Sequence, residues 1–349
     1  MSRKNAALTM PDKVSRQKIR TLIDAFDGAS GLRARKGGTL MKRMISVVLL
    51  LACCLLPGQE RVHATEGAGS YFFPGAFATF AAAMTPDPGF LVANQMLFYS
   101  AKADKAVLNG RVDLNLEADA FYNYFGGFYT FAAPILGSRL QVGAALPVGY
   151  VDMKASISTV LGSREISDSS FKLGDAMISS ALFWKRSDFY VKLVETVFLP
   201  TGDYSTDNLA NIGRNYWAFD TSGALTWLNM KTGTEISVMP GIMFNTKNSK
   251  TEYRSGNEFH VDFMVNQFLA ANFALGVQGY YYSQVSGDSG SGARLGSFKG
   301  EALGFGPALL WMPKFGKGKL SLIAKWLHDV DHKNRIEGDY GQIVVGYTF

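Results

Sequence analysis

Cysteine is almost absent from this chain. The 349 residues hold two, Cys53 and Cys54, adjacent within a single apolar run from Met44 to Leu56. Everything after residue 64 lacks cysteine, which excludes disulfides and thiolate metal centres from that part. Histidine is nearly as scarce, with four in all and three beyond residue 64: His260, His328 and His332. After residue 65 no apolar stretch reaches the roughly 20 residues that a membrane-spanning helix requires. A charge excess is also missing there. Twelve of the 35 Lys and Arg, and four of the 29 Asp and Glu, precede residue 65, leaving 23 against 25. The formal surplus of +6 therefore belongs to the N-terminus, and nucleic acid is not expected as a partner.

That N-terminus has a recognisable grammar. Met41-Lys42-Arg43 is a basic start, Met44–Leu56 an apolar run, Pro57-Gly58 a break, and Val62-His63-Ala64 a small-x-small cleavage signal. The run is too short to cross a bilayer and reads as a Sec-type signal peptide over 41–64. Residues 1–40, polar and basic without strand pattern, read as an upstream extension, with Met41 the expected start. Leu50-Leu51-Ala52-Cys53 loosely resembles a lipoprotein box, but the apolar run continues beyond it.

What the rest of the chain does have is alternation. The final residues place Ile343, Val345, Tyr347 and Phe349 on one face, and Gln342, Val344, Gly346 and Thr348 on the other. A terminus that ends on an aromatic of a period-two segment suits a strand with lipid on one side. Twelve such segments recur, near 90–101, 112–131, 139–151, 174–185, 188–200, 215–228, 233–245, 257–269, 273–284, 298–312, 319–330 and 338–349. Tight links alternate with longer polar ones such as 102–111 and 152–173. That is the pattern of short periplasmic turns and longer external loops. The expected fold is all-β: a transmembrane antiparallel up-and-down β-barrel of about 12 strands over 89–349. Residues 65–88 precede it as a periplasmic segment or a plug.

Parity assigns faces. Leu140, Val142, Ala144, Leu146, Val148 and Tyr150 oppose Gln141, Gly143, Ala145, Pro147 and Gly149. Trp217, Phe219, Leu225 and Trp227 oppose Asp220, Ser222 and Thr226. Leu114, Leu116, Ala118, Ala120, Tyr122 and Tyr124 oppose Asp113, Asn115, Glu117, Asp119 and Asn123. Charge on the lipid face is costly, so the polar sets are expected in the lumen. The candidate lumen-lining residues are Asp113, Glu117, Asp119, Lys192, Asp220, Glu235, Asp262, Lys325 and Asp329. They could set the ion preference of a water-filled pore, or pair among themselves and fill a narrow interior. Phe121, Phe183, Tyr280 and Tyr282 are candidate lumen aromatics. Trp184, Tyr190, Trp217, Trp227, Tyr281, Trp311, Trp326 and Tyr347 suit interfacial girdles. Glu195 shares a face with Val191 and Leu193, for which a bulge is one explanation.

Several turn motifs carry a resemblance: Tyr71-Phe72-Phe73-Pro74-Gly75, Pro86-Asp87-Pro88-Gly89-Phe90, Leu173-Gly174-Asp175, Pro200-Thr201-Gly202-Asp203-Tyr204 and Asn211-Ile212-Gly213-Arg214-Asn215-Tyr216-Trp217. Together they resemble the outer-membrane family named for the meta-pathway of phenol degradation. The resemblance covers nearly all of the chain beyond the leader. It implies a barrel that admits aromatic or other hydrophobic compounds.

The expected function is an outer-membrane channel for passive passage of small hydrophobic or aromatic solutes in a Gram-negative bacterium. No enzyme, cofactor or metal site is expected. The expected partners are outer-membrane lipid and lipopolysaccharide, the barrel-assembly machinery reading the strand that ends at Phe349, and a small aromatic solute. Two rivals remain. One is a structural or adhesive barrel without an open pore. The other is a hydrolase using His260, or His328 and His332 beside Asp329 and Asp331, although no surrounding motif supports it. Gly287-Asp288-Ser289-Gly290-Ser291-Gly292 reads as a loop and lacks the strand-to-helix setting of a phosphate-binding turn.

Overall fold

The computed structural model describes residue 66 and residues 69–349, except 109–110, 160–161, 295 and 298. Side chains at 103–114 and 156–164 are outside the description. The expected signal peptide and the extension before it also lie outside the described residues.

Thirteen strands follow in order among the described residues: β1 (Gly89–Leu108), β2 (Arg111–Thr130), β3 (Arg139–Thr159), β4 (Gly162–Leu173), β5 (Met177–Arg186), β6 (Phe189–Phe198), β7 (Ala218–Asn229), β8 (Thr234–Asn245), β9 (Glu258–Ala270), β10 (Phe273–Gln284), β11 (Glu301–Trp311), β12 (Lys319–Lys333) and β13 (Glu337–Thr348). Sequential neighbours pair antiparallel except β4 and β5, and β1 pairs with β13 from Leu91↔Thr348 to Lys102↔Glu337, closing the ring. Pairing around the ring satisfies backbone groups in the bilayer, where an unpaired one would cost several kcal/mol (about 2–7 for an unpaired amide).

The ring has twelve staves. β3 pairs through Arg139–Ala145 with β5 and through Val148–Thr159 with β4, so β4 and β5 succeed one another along a single edge. The segment 152–173, expected as a loop, is thus the upper part of β3 followed by β4. Likewise 102–111 is mostly strand, with β1 running to Leu108 and β2 beginning at Arg111. These extensions escape a search for lipid-facing alternation because the outward side chains described there, Lys102, Asp152, Lys154, Glu165 and Ser167, are polar.

The outer surface explains that polarity. An aromatic rung crosses Trp326, Phe98, Phe121, Tyr150 and Phe171 in register, with Gly341 between the first two. On these strands the outward charges lie beyond the last outward aromatic: Lys102 after Phe98, Glu117 and Asp119 before Phe121, Asp152 and Lys154 after Tyr150. Lys102 Nζ meets Glu117 Oε1 at 2.9 Å there, and His328 Nδ1 meets Asp339 Oδ1 at 3.0 Å. At the other strand ends stand Phe90, Tyr129, Trp184, Trp227, Trp311, Tyr347 and Phe349. Two aromatic belts around an apolar band are the outer-membrane arrangement. Both strand-bearing termini and the short turns share what is then the periplasmic end.

Glu195 faces outward with Val191 and Leu193, and β6 keeps one register with both neighbours, so no bulge forms. The carboxylate is instead satisfied by Thr221 Oγ1, at 2.5 Å on the adjacent strand.

Inside, the two halves of the wall differ. β7–β12 present Asp220, Ser222, Thr226, Glu235, Ser237, His260, Asp262, Gln278 and Lys325 to the lumen, all buried. The opposite half, β1–β6, presents Leu97, Ala101, Leu116, Ala118, Tyr122, Val151, Met153, Ala181, Phe183 and Phe198. This second half gathers a buried apolar cluster with Ala210 and Ile212 from the long β6–β7 connection.

Candidate functional site

The lumen is occupied by the chain itself. Residues 69–88 descend through it from the external loops to the periplasmic end, and Phe72 and Ala83 on this segment are fully buried. At the top, Asn248 Nδ2 donates to Glu66 Oε2 at 3.1 Å. Burial raises the Glu66 carboxyl to about 6, outweighing hydrogen bonds from Thr251 and Asn248. At the bottom, Asp87 pairs with Lys319.

Between these ends the polar half-wall binds the segment's backbone. Arg335 Nη2 donates to Phe72 O at 2.9 Å, and Lys325 Nζ donates to Ala78 O at 2.8 Å and also to Gly75 O. Asp262 Oδ2 accepts from Ala78 N at 2.9 Å, and Thr226 Oγ1 accepts from Ala83 N at 3.0 Å. A segment without regular structure needs such partners, because its buried amides and carbonyls have none of their own. The turn Phe73-Pro74-Gly75-Ala76 closes with Ala76 N donating to Phe73 O at 3.0 Å. Pro at its second position and Gly75 at φ +68° in its third make a type II turn. A Cβ on Gly75 would lie 2.4 Å from Leu327 Cδ1, so only glycine permits this approach to the wall.

These contacts redefine the candidate residues. Asp262 and Lys325 hold the segment, while the other inward charges brace the wall. Asp220 accepts from Ser222 Oγ at 2.5 Å and pairs with His260 Nε2 at 2.6 Å. Glu235 accepts from Asn266 Nδ2 at 2.6 Å and from Ser237. Asp329 accepts from Gly338 N at 2.9 Å and from Tyr280. Lys192 faces inward with no acceptor in bonding reach among the described residues. Glu117 and Asp119 stand on the outer face beyond the aromatic rung, contrary to the expectation that they line the lumen. Outside the bilayer the outer face is the wet one, so the apolar side of β2 turns inward instead. The Asp113 side chain lies outside the described residues. Phe121 points outward and Tyr190 inward, each opposite to expectation, whereas Phe183, Tyr280 and Tyr282 face the lumen.

His260 lies against the segment, with Phe72 and Phe77 stacked on it at 4.4 and 5.3 Å between ring centroids. Asp220 accepts from Ser222 and pairs with the imidazole Nε2, and the His260 Nδ1 has no hydrogen-bond partner among the described residues. His328 and His332 are on the exposed surface in ion pairs with Asp339 and Glu337.

Asp175 went unrecognised as a centre, although it sits in one of the turn motifs. Where β4 gives way to β5, its carboxylate accepts from Gly202 N at 2.7 Å, Arg214 N at 2.6 Å and Tyr71 Oη at 2.6 Å. Gly202 and Gly213 pack backbone on backbone: a Cβ on Gly202 would meet Gly174 C at 2.6 Å, and one on Gly213 would meet Gly202 C at 2.7 Å. The motifs around residues 71, 175, 202 and 213 therefore form one knot, tying the segment, the wall and the β6–β7 connection.

Among the described residues, two cavities of note lie between the segment and the β1–β6 half-wall. The upper, about 120 Å³, is bordered by Phe72, Tyr99, Tyr122, Tyr216, Arg214 and Arg335. The lower, about 230 Å³, is bordered by Tyr124, Phe128, Phe183, Phe198, Met177 and Lys192, among others. Phe73 borders both and packs edge-on against Tyr122 at 5.0 Å. The arrangement offers aromatic faces along one side and a hydrogen-bonded segment along the other.

A closed twelve-stave antiparallel barrel with two aromatic belts is the architecture of an outer-membrane β-barrel. The model of the family described as "Putative MetA-pathway of phenol degradation" matches residues 99–343, and the chain belongs to that family. An outer membrane channel from Pseudomonas putida F1 superposes with a TM-score of 0.60 at 14% identity, over 80% of this chain and 100% of that one. Weaker similarity extends to the beta domain of the Bordetella autotransporter BrkA (TM-score 0.45, 10% identity, 75% of this chain, 100% of that one). It also extends to a Pseudomonas aeruginosa FadL homologue (TM-score 0.40, 7% identity, 83% and 98%). No curated protein matches the chain.

Proposed function

We propose that this protein is an outer-membrane channel for passive passage of small hydrophobic or aromatic solutes, moving between the N-terminal segment and the β1–β6 half-wall. The observation that carries this reading is the asymmetry of the lumen. The charges of β7–β12 are engaged with the segment and with one another, while both cavities are bordered mainly by aromatic and aliphatic side chains, with Lys192, Arg214 and Arg335 among them. A water-filled pore would leave its charges solvated, whereas a route for ring-bearing solutes needs mainly apolar walls with a small number of polar groups placed among them. Residues 69–85 act as the plug that keeps small ions from crossing freely.

The reading places the protein in the outer membrane of a Gram-negative bacterium, delivered by the signal peptide at 41–64. Lipopolysaccharide surrounds its upper half, and the assembly machinery reads the strand ending at Phe349. Planar-bilayer recording tests the plug. The wild-type protein is expected to conduct weakly, and deletion of residues 69–85 to raise the unitary conductance severalfold. A deletion variant that inserts and remains silent would favour a barrel without a pore.

A further inference from the structure

Lys192 is an ammonium group on the wall of an aromatic chamber, with no hydrogen-bonding partner among the described residues. It projects inward from β6 beside Phe183, to which it is directly opposed across the β5–β6 ladder, and it borders the 230 Å³ cavity. No hydrogen bond or ion pair engages its Nζ among the described residues. The acids that act on it do so through space only: Asp220, engaged by His260 and Ser222, and Asp262, whose Oδ2 takes the Ala78 amide. With neither carboxylate within hydrogen-bonding reach, the ammonium donors are open to an anionic oxygen entering the cavity.

The rest of the wall indicates what that would be. Tyr124, Phe128, Phe183 and Phe198 supply ring faces, and Gln141 and Thr196 add an amide and a hydroxyl on the same side as Lys192. The cavity is smaller than the roughly 300–1,000 Å³ that drug-sized ligands occupy, which suits a single ring. The upper cavity repeats the chemistry. Arg214 and Arg335 stand there among tyrosines and phenylalanines, with Glu66 also on the lining, and the Nε and Nη1 of Arg335 have no acceptor among the described residues. Cations at the mouth would draw an anion inward before it meets the deeper ammonium.

We propose that the lower chamber is a binding site for single-ring aromatic carboxylates, with the ring against Phe183 and Phe198 and the carboxylate on the Lys192 ammonium. The proposal rests on the channel reading above and narrows it: the solute carries an anionic oxygen as well as a ring. A charge-assisted hydrogen bond in a dry chamber gives such a solute an advantage over its neutral counterpart. The aromatic surface gives it an advantage over an aliphatic acid of similar length.

Titration calorimetry on the refolded full-length barrel in detergent tests this, with benzoate, benzyl alcohol and butyrate as probes. Wild type is expected to bind benzoate more tightly than either. Lys192→Met is expected to weaken benzoate binding on the order of tenfold or more while leaving benzyl alcohol within about twofold. Lys192→Arg, which keeps the charge, is expected to retain most of the benzoate affinity. Equal wild-type affinity for benzoate and benzyl alcohol, or a Lys192→Met variant indistinguishable from wild type, would overturn the proposal while leaving a channel for neutral rings intact. Failure of both ring compounds to bind would overturn it together with the channel reading. The wild-type comparison decides the matter even if a variant does not refold.

Discussion

Asp175 concentrates three backbone and side-chain donors on one carboxylate that is itself 5% exposed. Replacing it with alanine would leave the Gly202 and Arg214 amides and the Tyr71 hydroxyl buried without an acceptor, and each such loss costs about 1–3 kcal/mol. Asp175→Ala is therefore expected to lower the unfolding free energy by about 3 kcal/mol or more, measured by urea denaturation in bilayers. A change below about 1 kcal/mol would show that the knot is not held by this carboxylate. At this scale, parity along a strand was a good guide where the strand lies within the bilayer. It placed Lys192, Asp220, Glu235, Asp262, Lys325 and Asp329 on one face, and all six point inward. It failed for Glu117 and Asp119 because alternation distinguishes two faces without saying which medium each one meets. Nothing in the local pattern marked Asp175 or Arg335, whose partners come from residues far apart in the chain.

Strands were legible as elements wherever one face met lipid, and less so above the membrane. The upper parts of β3 and β4 alternate as regularly as the rest. Their outward side chains are Asp152, Lys154, Glu165 and Ser167, so the segment reads as a polar loop. The N-terminal segment was legible only as a choice between tail and plug, since its contacts are backbone hydrogen bonds to distant side chains. The external loops carry a pH dependence of their own. In the β10–β11 connection, burial raises the Asp288 carboxyl from its ordinary 3.8 to about 7, outweighing hydrogen bonds from Tyr253, the Gly256 amide and Gln284. Glu66, against the β8–β9 connection, is raised from 4.5 to about 6 by burial. The folded loops thus bind more protons than the unfolded chain between about pH 4 and 7. Their stabilisation is fully present below that window and is lost as the pH rises through it. Amide exchange in residues 251–257 and 284–290, corrected for intrinsic rates, is expected to be slower at about pH 5 than at about pH 8. Asp288→Asn should flatten the difference. Equal protection at both values in the wild type would contradict the assignment.

The whole molecule joins a lipid-facing cylinder to an interior divided into two unlike halves. One half is a polar surface that grips a length of the protein's own chain; the other is a largely apolar surface that touches it through Tyr71 and Phe73 and leaves cavities beside it. The terminal Phe349, the belts and the alternating links made the cylinder readable from the chain alone, because lipid imposes its constraint on every stave. The division of the lumen was not readable, because it arises only when strands far apart in sequence face one another across the barrel. The central claim is that solutes pass between the segment and the β1–β6 half-wall. Ala181 borders the lower cavity on that wall, is buried, and has a side chain small enough to leave the space open. The most direct measurement is the uptake rate of a radiolabelled single-ring solute by proteoliposomes carrying wild type or Ala181→Trp, each shown to be folded by heat-modifiable gel mobility. Filling the chamber with an indole is expected to reduce the protein-dependent rate on the order of tenfold, since the route between segment and wall would be closed. An unchanged rate in a folded Ala181→Trp barrel would place the solute's route elsewhere and contradict the account.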